Sequence, residues 1–391
     1  MRVPERSAAP AAELRVAVDA LSLWRPLTGI GQYTWNIARS WAAQGGPPAS
    51  YFYGNDWSDH AAPRTAAGLG ALRRLARGAL PRSYELSRAM LQRRFDRRPQ
   101  PCAVYFEPSF LPFRFDGPMV LTVHDLSHVR HPQTHPAQRV RILDRLLPPA
   151  LERAAHVLTV SEFQRREILA VYGLPAARVS ACHEGVGTQF RPRPAADCAA
   201  LLARLGLRWQ GYFLAVGTLE PRKNLATALQ AHARLPAALR QACPLVLAGS
   251  PGWHGGHIAD ALQAGVRAGE VRALGHVDDD DLPLLYSAAR LFLYPSLYEG
   301  FGLPVLEAMA SGVPVIASNR SSLPEVVGDA GVLLEPLDVV ALSQAIERLC
   351  ADADEWQRLS QAGREQARRF SWSACAAQTA AVLQSAARGG V

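Results

Sequence analysis

Lysine is almost missing from this sequence: 41 of its 42 basic residues are arginine, and the single lysine is Lys223. So strong a bias reflects the coding composition of a genome. The surviving lysine then either persists by chance or stands where a planar guanidinium would not serve. Long apolar runs are missing too. No stretch approaches about 18 uninterrupted apolar residues, which excludes a membrane-spanning helix. The opening segment MRVPERSAAPAAELRVAVDA carries charges and prolines and no continuous apolar core, which argues against a secretory leader. Cysteines are few and scattered, at positions 102, 182, 198, 243, 350 and 375, with no CxxC pair and no clustering with histidine. That spacing supplies no metal-ligand set, and it fits free, mostly buried thiols in a reducing cytoplasm.

What is present suits a two-domain globular protein. A chain of 391 residues with 49% hydrophobic and 19% charged residues can bury large cores. Its formal net charge of +8 suits contact with something anionic, whether nucleic acid, lipid headgroups or a phosphorylated substrate.

Short apolar, β-branched runs alternate with helix-patterned segments from end to end. The first half holds LRVAVDA (14–20), YFYGN (51–55), AVYFEPS (103–109), MVLTVHDL (119–126), HVLTVSE (156–162) and VSACHEGV (179–186). The second holds GYFLAVGT (211–218), PLVLAGS (244–250), VRALGHV (271–277), LFLYPS (291–296), VPVIASN (313–319) and GVLLEP (331–336). Continuous apolar strands between helices predict parallel sheets covered on both faces. Two such series predict an α/β protein of two Rossmann-like, doubly wound domains facing a central cleft. Pro192 and Pro194 interrupt the periodicity, so the expected division is residues 1–188 and 189–370. Ligands of such sheets lie beyond the carboxyl ends of the strands, which makes the residues after each strand the site candidates.

Gly29 and Gly31, in SLWRPLTGIGQYT, precede a helical pattern after the first strand. Missing side chains there let backbone N–H groups face an anion, although a tight strand-to-helix turn also wants glycine. In VHDL, His124 ends a strand and could orient a hydroxyl or polarise a reacting oxygen, with Asp125 fixing its tautomer; a structural histidine is the plainer alternative. GTLEPRKN (217–224) places Arg222 and Lys223 between a strand and a helix. A planar fork and a compact point charge can hold a diphosphate there, whereas as ordinary solvated cations they would oppose the helix dipole. In YEGFGLPVLEAMA, Gly300 and Gly302 form a loop and Pro304 presets the first turn of a helix opening at Leu303. Its free N–H groups suit an anion, with Glu299 before the loop and Glu307 about one turn in, both able to accept from sugar or ribose hydroxyls. The plain alternative makes Glu307 a dipole complement and Glu299 a surface residue.

Other features read as local structure. DDDD (278–281) is expected to be a helix N-cap with acidic first-turn residues, and SEFQ (161–164) a capping box with Ser161 as cap. His183 and Glu184 in CHEGVG lack a second ligand cluster, so no metal is expected. The segment 71–98 carries nine arginines against Glu85 and Asp96, with Leu72, Leu75, Ala79 and Leu80 at helical spacing. It is either a helix resting on an anionic membrane surface or a solvated helix of an arginine-rich protein. Nucleic acid is disfavoured, because no nucleic-acid-binding motif appears.

GTLEPRKN and the Glu-x7-Glu stretch EGFGLPVLE, supported by TGIGQYT and VHDL, resemble the retaining, nucleotide-sugar-dependent glycosyltransferases of family 4, over essentially the whole chain. The resemblance implies the GT-B fold, with a final helix in 371–391 crossing back onto the first domain, and it implies no metal and no resident cofactor. It assigns Arg222 and Lys223 to the donor diphosphate, Glu299 to hydroxyls of the donor sugar and Glu307 to the ribose. The backbone of Gly300, Phe301, Gly302 and Leu303 would meet the sugar and phosphates, Val277 the base, and His124 the transferred sugar. Gly29 and Gly31 would let the first domain approach the phosphates. Thr218 and Leu219 stand where many members carry an arginine, so neutralisation would rest more heavily on Arg222 and Lys223.

The motifs look most like those of mannosyl- and rhamnosyltransferases of bacterial surface-polysaccharide assembly. The expectation is a cytoplasmic enzyme, peripheral on the membrane, that moves a hexose from a nucleotide-diphosphate sugar to a growing, lipid-linked glycan. A GDP-sugar, GDP-mannose or a GDP-deoxyhexose, is the favoured donor, and retention would follow same-face attack assisted by the leaving diphosphate. Alternatives are a sugar-nucleotide epimerase of the same fold and a non-catalytic nucleotide- or carbohydrate-binding module.

Overall fold

The structure is a computed structural model that describes residues 14–25, 27–65, 81–250, 252 and 258–389, with backbone alone for 81–85. Every one of the apolar runs forms a strand. In the first half these are β1 (Val16–Asp19), β2 (Ala49–Phe52), β3 (Trp57–Ser58), β4 (Val104–Glu107), β5 (Met119–Val123), β6 (His156–Thr159) and β7 (Val179–Ala181). The second half holds β8 (Phe213–Val216), β9 (Leu245–Ala248), β10 (Val271–Gly275), β11 (Leu291–Tyr294), β12 (Val315–Ser318) and β13 (Val332–Leu334). Only β3 lies outside the expected set. It pairs antiparallel with β2 at the sheet edge, and two residues are too few to leave a periodic signal.

The first sheet runs β3-β2-β1-β4-β5-β6-β7 and the second β10-β9-β8-β11-β12-β13, each parallel apart from β3. In both, the strand order reverses at one point: between β1 and β4, and between β8 and β11. Crevices for ligands open at such reversals. GTLEPRKN follows β8 and YPSLYEGFG follows β11, and these strands are neighbours, with Leu291 opposite Phe213. Two motifs far apart in sequence therefore emerge side by side.

The last helix, Trp372–Ala387, packs on the helix Gly29–Gln44 of the first sheet's layer. Trp41 Nε1 donates to the Ala376 carbonyl at 2.8 Å across that contact. Gly185 makes the approach possible, since a Cβ there would lie 2.1 Å from the Trp372 backbone nitrogen. Gly185→Ala is therefore expected to destabilise the fold by about 2–4 kcal/mol, because backbone rather than a pliable side chain must move. Denaturant unfolding checks this, and an unchanged midpoint would contradict it.

Ser161 caps the helix Glu162–Tyr172 as its motif predicts, accepting from Gln164 N at 3.2 Å. DDDD behaves differently: Asp281 precedes the helix Leu282–Ser287, yet its carboxylate accepts no N–H of that helix. It pairs instead with Arg204, an ion pair drawing the side chain away from the capping position. Of the basic segment, 71–80 lie outside the described residues. Pro81–Phe95 is a helix on which Leu86 and Met90 are exposed and Phe95 is fully buried. Among the described residues no helix is long and apolar enough to cross a membrane.

Candidate active site

The centre of the cleft is one buried carboxylate held by two cations. Glu299 Oε1 accepts from Lys223 Nζ at 2.8 Å, and Oε2 from Arg222 Nη1 at 2.9 Å. Arg222 also donates through Nη2 to Glu220 at 2.7 Å and through Nη1 to the Tyr298 carbonyl at 2.6 Å. Lys223 donates to the Tyr294 hydroxyl at 2.7 Å, and Ser296 donates to Glu299 as well. The side chains of Arg222, Lys223 and Glu299 are only 12%, 13% and 7% exposed. Burial would raise the Glu299 pKa, but Lys223 and Arg222 outweigh it and hold the group at about 2.

Local geometry sets this cluster. Pro221–Lys223 is a short 3₁₀ turn, and Asn224 ends it in the left-handed region at φ 52°. Asn224 tolerates that conformation because its side chain is anchored, donating to the Pro295 and Pro336 carbonyls at 2.9 and 2.6 Å. The helix Leu225–Arg234 starts next, so both cations sit at a helix N-terminus where the dipole disfavours them. Glu299 and Glu220 offset that cost. Among the described residues, Arg222 Nε–H is buried without an acceptor.

The loop after β11 leads into the helix Leu303–Ala310, with Gly302 before it at φ 114°, a region that excludes side chains. Gly300 touches the first domain, since a Cβ there would lie 2.2 Å from the His124 carbonyl oxygen. Ser161 fastens this contact by donating to the Gly300 carbonyl at 2.7 Å. Leu303 is half-buried at the helix start, and the Phe301 side chain is buried. Phe301 is 3% exposed and packs near His183 and Phe370, so apolar burial has claimed the ring and left only backbone for the cleft.

Glu307 lies about one turn into that helix and accepts from the Tyr286 hydroxyl at 2.9 Å. Burial, with Glu184 and Asp279 adding negative charge, pushes its pKa up to about 8. The sign follows. Protonated Glu307 gives full stability below the unfolded pKa near 4.5, and this stability drains away as pH rises through about 8. Thermal unfolding of Glu307→Gln should therefore vary less than wild type between those pH values; equal slopes would contradict the assignment.

His124 Nε2 sits 2.7 Å from the Pro108 carbonyl, an acceptor, so Nε2 carries the hydrogen and Nδ1 faces Glu184 at 3.7 Å. The Tyr33 ring meets it edge-on at 4.8 Å. Asp125 does not orient it, contrary to expectation, because its Oδ1 is taken by Ser127 N and Oγ at 2.9 and 2.6 Å. Desolvation would raise the Asp125 pKa, but Arg222 across the cleft and Ser127 hold it low. Glu184, 5% exposed, thus belongs to the site, although CHEGVG alone offers no sign of it.

The remaining candidates are spread around the cleft. Gly29 opens a helix with nothing within 4 Å of a would-be Cβ, so it faces free space. For Gly31, close packing explains the residue, because a Cβ would lie 2.6 Å from the Ser22 carbonyl oxygen. Thr218 is exposed just beyond β8, and Val277 is half-buried just beyond β10. Nearby, Arg25 of the first domain pairs with Asp279 at 3.6 Å. Among the described residues no three His, Cys, Asp or Glu side chains converge as a metal site would require.

This arrangement can bind an anion on Arg222 and Lys223 and hydroxyls on two carboxyl groups of opposite protonation. Residues 27–190 match the family model Glycosyltransferase Family 4, and residues 209–366 match Glycosyl transferases group 1. The chain is 41% identical over 365 residues to O-antigen chain mannosyltransferase B of Escherichia coli, covering 90% of this chain and 95% of that one. It is 34% identical over 236 residues to the MMP alpha-(1->4)-mannosyltransferase of Mycolicibacterium hassiacum, 59% of this chain and 54% of that one. Sucrose-phosphate synthase from Thermosynechococcus elongatus has the same fold, with a TM-score of 0.75 at 24% identity over 95% of this chain and 98% of that one. So does Anabaena HepE in complex with UDP-glucose, with a TM-score of 0.67 at 19% identity over 95% and 100% of the two chains. With both halves matched by family models and a relative of this identity along nearly its whole length, the chain belongs to the family 4 glycosyltransferases of GT-B fold.

Proposed function

We propose that this glycosyltransferase moves mannose, or a related deoxyhexose, from a GDP-sugar to a growing, lipid-linked glycan in surface-polysaccharide assembly. The observation that carries the reading is the pair Arg222 and Lys223 on one buried carboxylate, with Arg222 Nε–H unmet among the described residues. A diphosphate entering the cleft would supply both the missing acceptor and the charge these cations favour. Glu299 would then turn to hydroxyls of the donor sugar. Protonated Glu307 can donate to one ribose hydroxyl while accepting from another. The mannosyl and O-antigen part of the reading comes from the names of the relatives.

In this reading the sugar C1–O bond to the diphosphate breaks as the acceptor oxygen attacks C1 from the same face. The acceptor proton passes to the leaving phosphate oxygen, so configuration is retained without a protein nucleophile. Arg222 and Lys223 stabilise the charge that develops on the diphosphate, and His124, held by Pro108, positions the transferred sugar. No metal or resident cofactor takes part in this scheme. The site would work in the cytoplasm, at the inner membrane face, where exposed Leu86 and Met90 and the arginines of the helix Pro81–Phe95 suit anionic headgroups.

A thermal-shift and turnover screen of nucleotide sugars tests this. GDP-mannose is expected to raise the melting temperature most and to transfer to a mannoside acceptor. Conversion of the donor without transfer would favour the epimerase alternative, and binding without any turnover the non-catalytic one.

A further inference from the structure

The helix Glu162–Tyr172 of the first domain is capped from the second. The N–H groups of a helix's first turn have no partners inside it. Ser161 Oγ meets one of them, accepting from Gln164 N at 3.2 Å. The two before it, Glu162 N and Phe163 N, donate across the cleft to Glu325 Oε1 and Oε2 at 2.9 and 3.1 Å. His183, also of the first domain, pairs with the same carboxylate. Burial would raise the Glu325 pKa, but His183 and the two N–H groups outweigh it and hold the group below the usual carboxyl range. It therefore meets the positive end of the helix dipole as an anion.

Glu325 is also tied to the segment that carries Glu299. It ends the run SSLPE (321–325), in which Ser321 Oγ accepts from Glu299 N at 2.9 Å. Ser322 Oγ donates to the Glu299 and Phe301 carbonyls at 3.1 and 2.8 Å. Ser321 stands at φ 55°, a left-handed conformation that is strained for a residue with a side chain, and it keeps that conformation while bound to Glu299 N. From the first domain, Gln164 Nε2 donates to the Glu299 carbonyl at 3.2 Å and to the Tyr298 hydroxyl at 2.9 Å. The backbone of Glu299 is thus gripped on one side by the helix that Glu325 caps and on the other by the run in which Glu325 sits.

We infer that Glu325 is a closure latch and a positioning residue: it joins the two domains by capping the helix and, through Ser321 and Ser322, fixes the Glu299 loop when they meet. The latch needs no ligand, while its effect on turnover rests on the transferase reading. Arg222 and Lys223 are only 12% and 13% exposed, so a diphosphate needs the domains to part before it reaches them. Parting strands both N–H groups without their carboxylate, and closing restores the bonds. The two cations, Glu299 and Glu307 all belong to the second domain and His124 to the first, so loss of the latch should separate nucleotide binding from transfer.

Hydrogen exchange of the full chain, read at single amides by NMR, tests the latch, with calorimetry of GDP binding and steady-state kinetics on GDP-mannose beside it. In Glu325→Ala the Glu162 and Phe163 amides are expected to exchange about tenfold faster or more. The Gln164 amide, capped within its own domain, should stay within about twofold. Turnover, as kcat, should fall about tenfold while GDP affinity stays within about twofold. Glu162→Pro removes one N–H from the opposite partner. Proline is accepted at the first helical position, and Ser161, extended at φ −155° and ψ 158°, suits a following proline. Its own effect on kcat should be smaller, and adding Glu325→Ala to it should cost less than the product of the single effects. Unchanged exchange at Glu162 and Phe163, faster exchange throughout the chain, GDP affinity lost in parallel with kcat, or single effects that simply multiply overturns the proposal. Loss of protection confined to those two amides, in a chain that turns over no sugar nucleotide, would support the latch and sink the transferase reading.

Discussion

Lys223→Met is expected to lower kcat/KM for the sugar-nucleotide donor by roughly 10²–10³-fold, the usual cost of removing one preorganised donor aimed at developing charge. Lys223 Nζ is fixed between Glu299 at 2.8 Å and the Tyr294 hydroxyl at 2.7 Å, so it is already aimed before a donor arrives. Lys223→Arg should therefore recover only part of the loss, about tenfold short of wild type, although it keeps the charge. Steady-state kinetics on both variants decide the matter. Full activity in Lys223→Arg would mean that the lone lysine in this arginine-rich chain is there by chance, and full activity in Lys223→Met would remove it from the donor site.

Glu299→Gln is expected to change stability and donor response in opposite directions. With its pKa held at about 2 against an ordinary 4.5, ionised Glu299 stabilises the fold above the unfolded pKa, and this is lost as pH falls from about 4.5 through 2. The contribution is on the order of 3 kcal/mol at neutral pH, and the variant leaves two nearly buried cations short of an anion. Its melting temperature should drop and lose wild type's extra sensitivity to acid in that window. GDP should then raise the melting temperature more in the variant than in wild type, because diphosphate is the replacement anion for Arg222 and Lys223. Donor turnover should nevertheless fall by roughly 10²-fold or more if Glu299 holds the transferred sugar. A smaller GDP effect in the variant would show that the phosphates bind elsewhere.

Much of the site was readable as motif. GTLEPRKN and EGFGLPVLE each placed chemistry after an apolar strand, where backbone N–H groups and short loops make binding possible. Other members escaped because their roles depend on partners far away in sequence. Glu184 acquires meaning only beside His124, and Glu220 only beside Arg222. Glu325, which accepts from Glu162 N and Phe163 N at 2.9 and 3.1 Å and pairs with His183, ties the second domain to the first. Asp125 looked like the orienter of its neighbour His124, yet local turn geometry gave it to Ser127 and left the task to the Pro108 carbonyl, on the loop after the neighbouring strand β4.

From sequence alone, the alternation of buried strands and helices determined two doubly wound sheets, because a strand covered on both faces must be apolar throughout. Punctuation by glycine and proline likewise marked the loops, since few other residues adopt those backbone angles. Tertiary structure alone decided what the charges do. Lys223 and Glu299 are distant in sequence and meet because β8 and β11 are neighbours at the reversal of strand order. Folding then separated two glutamates of one motif: two cations outweigh burial and hold Glu299 at about 2, whereas burial, with other acids nearby, lifts Glu307 to about 8. Protonation depends on solvent exclusion and on charges brought together by folding, neither of which a linear spacing of eight residues contains.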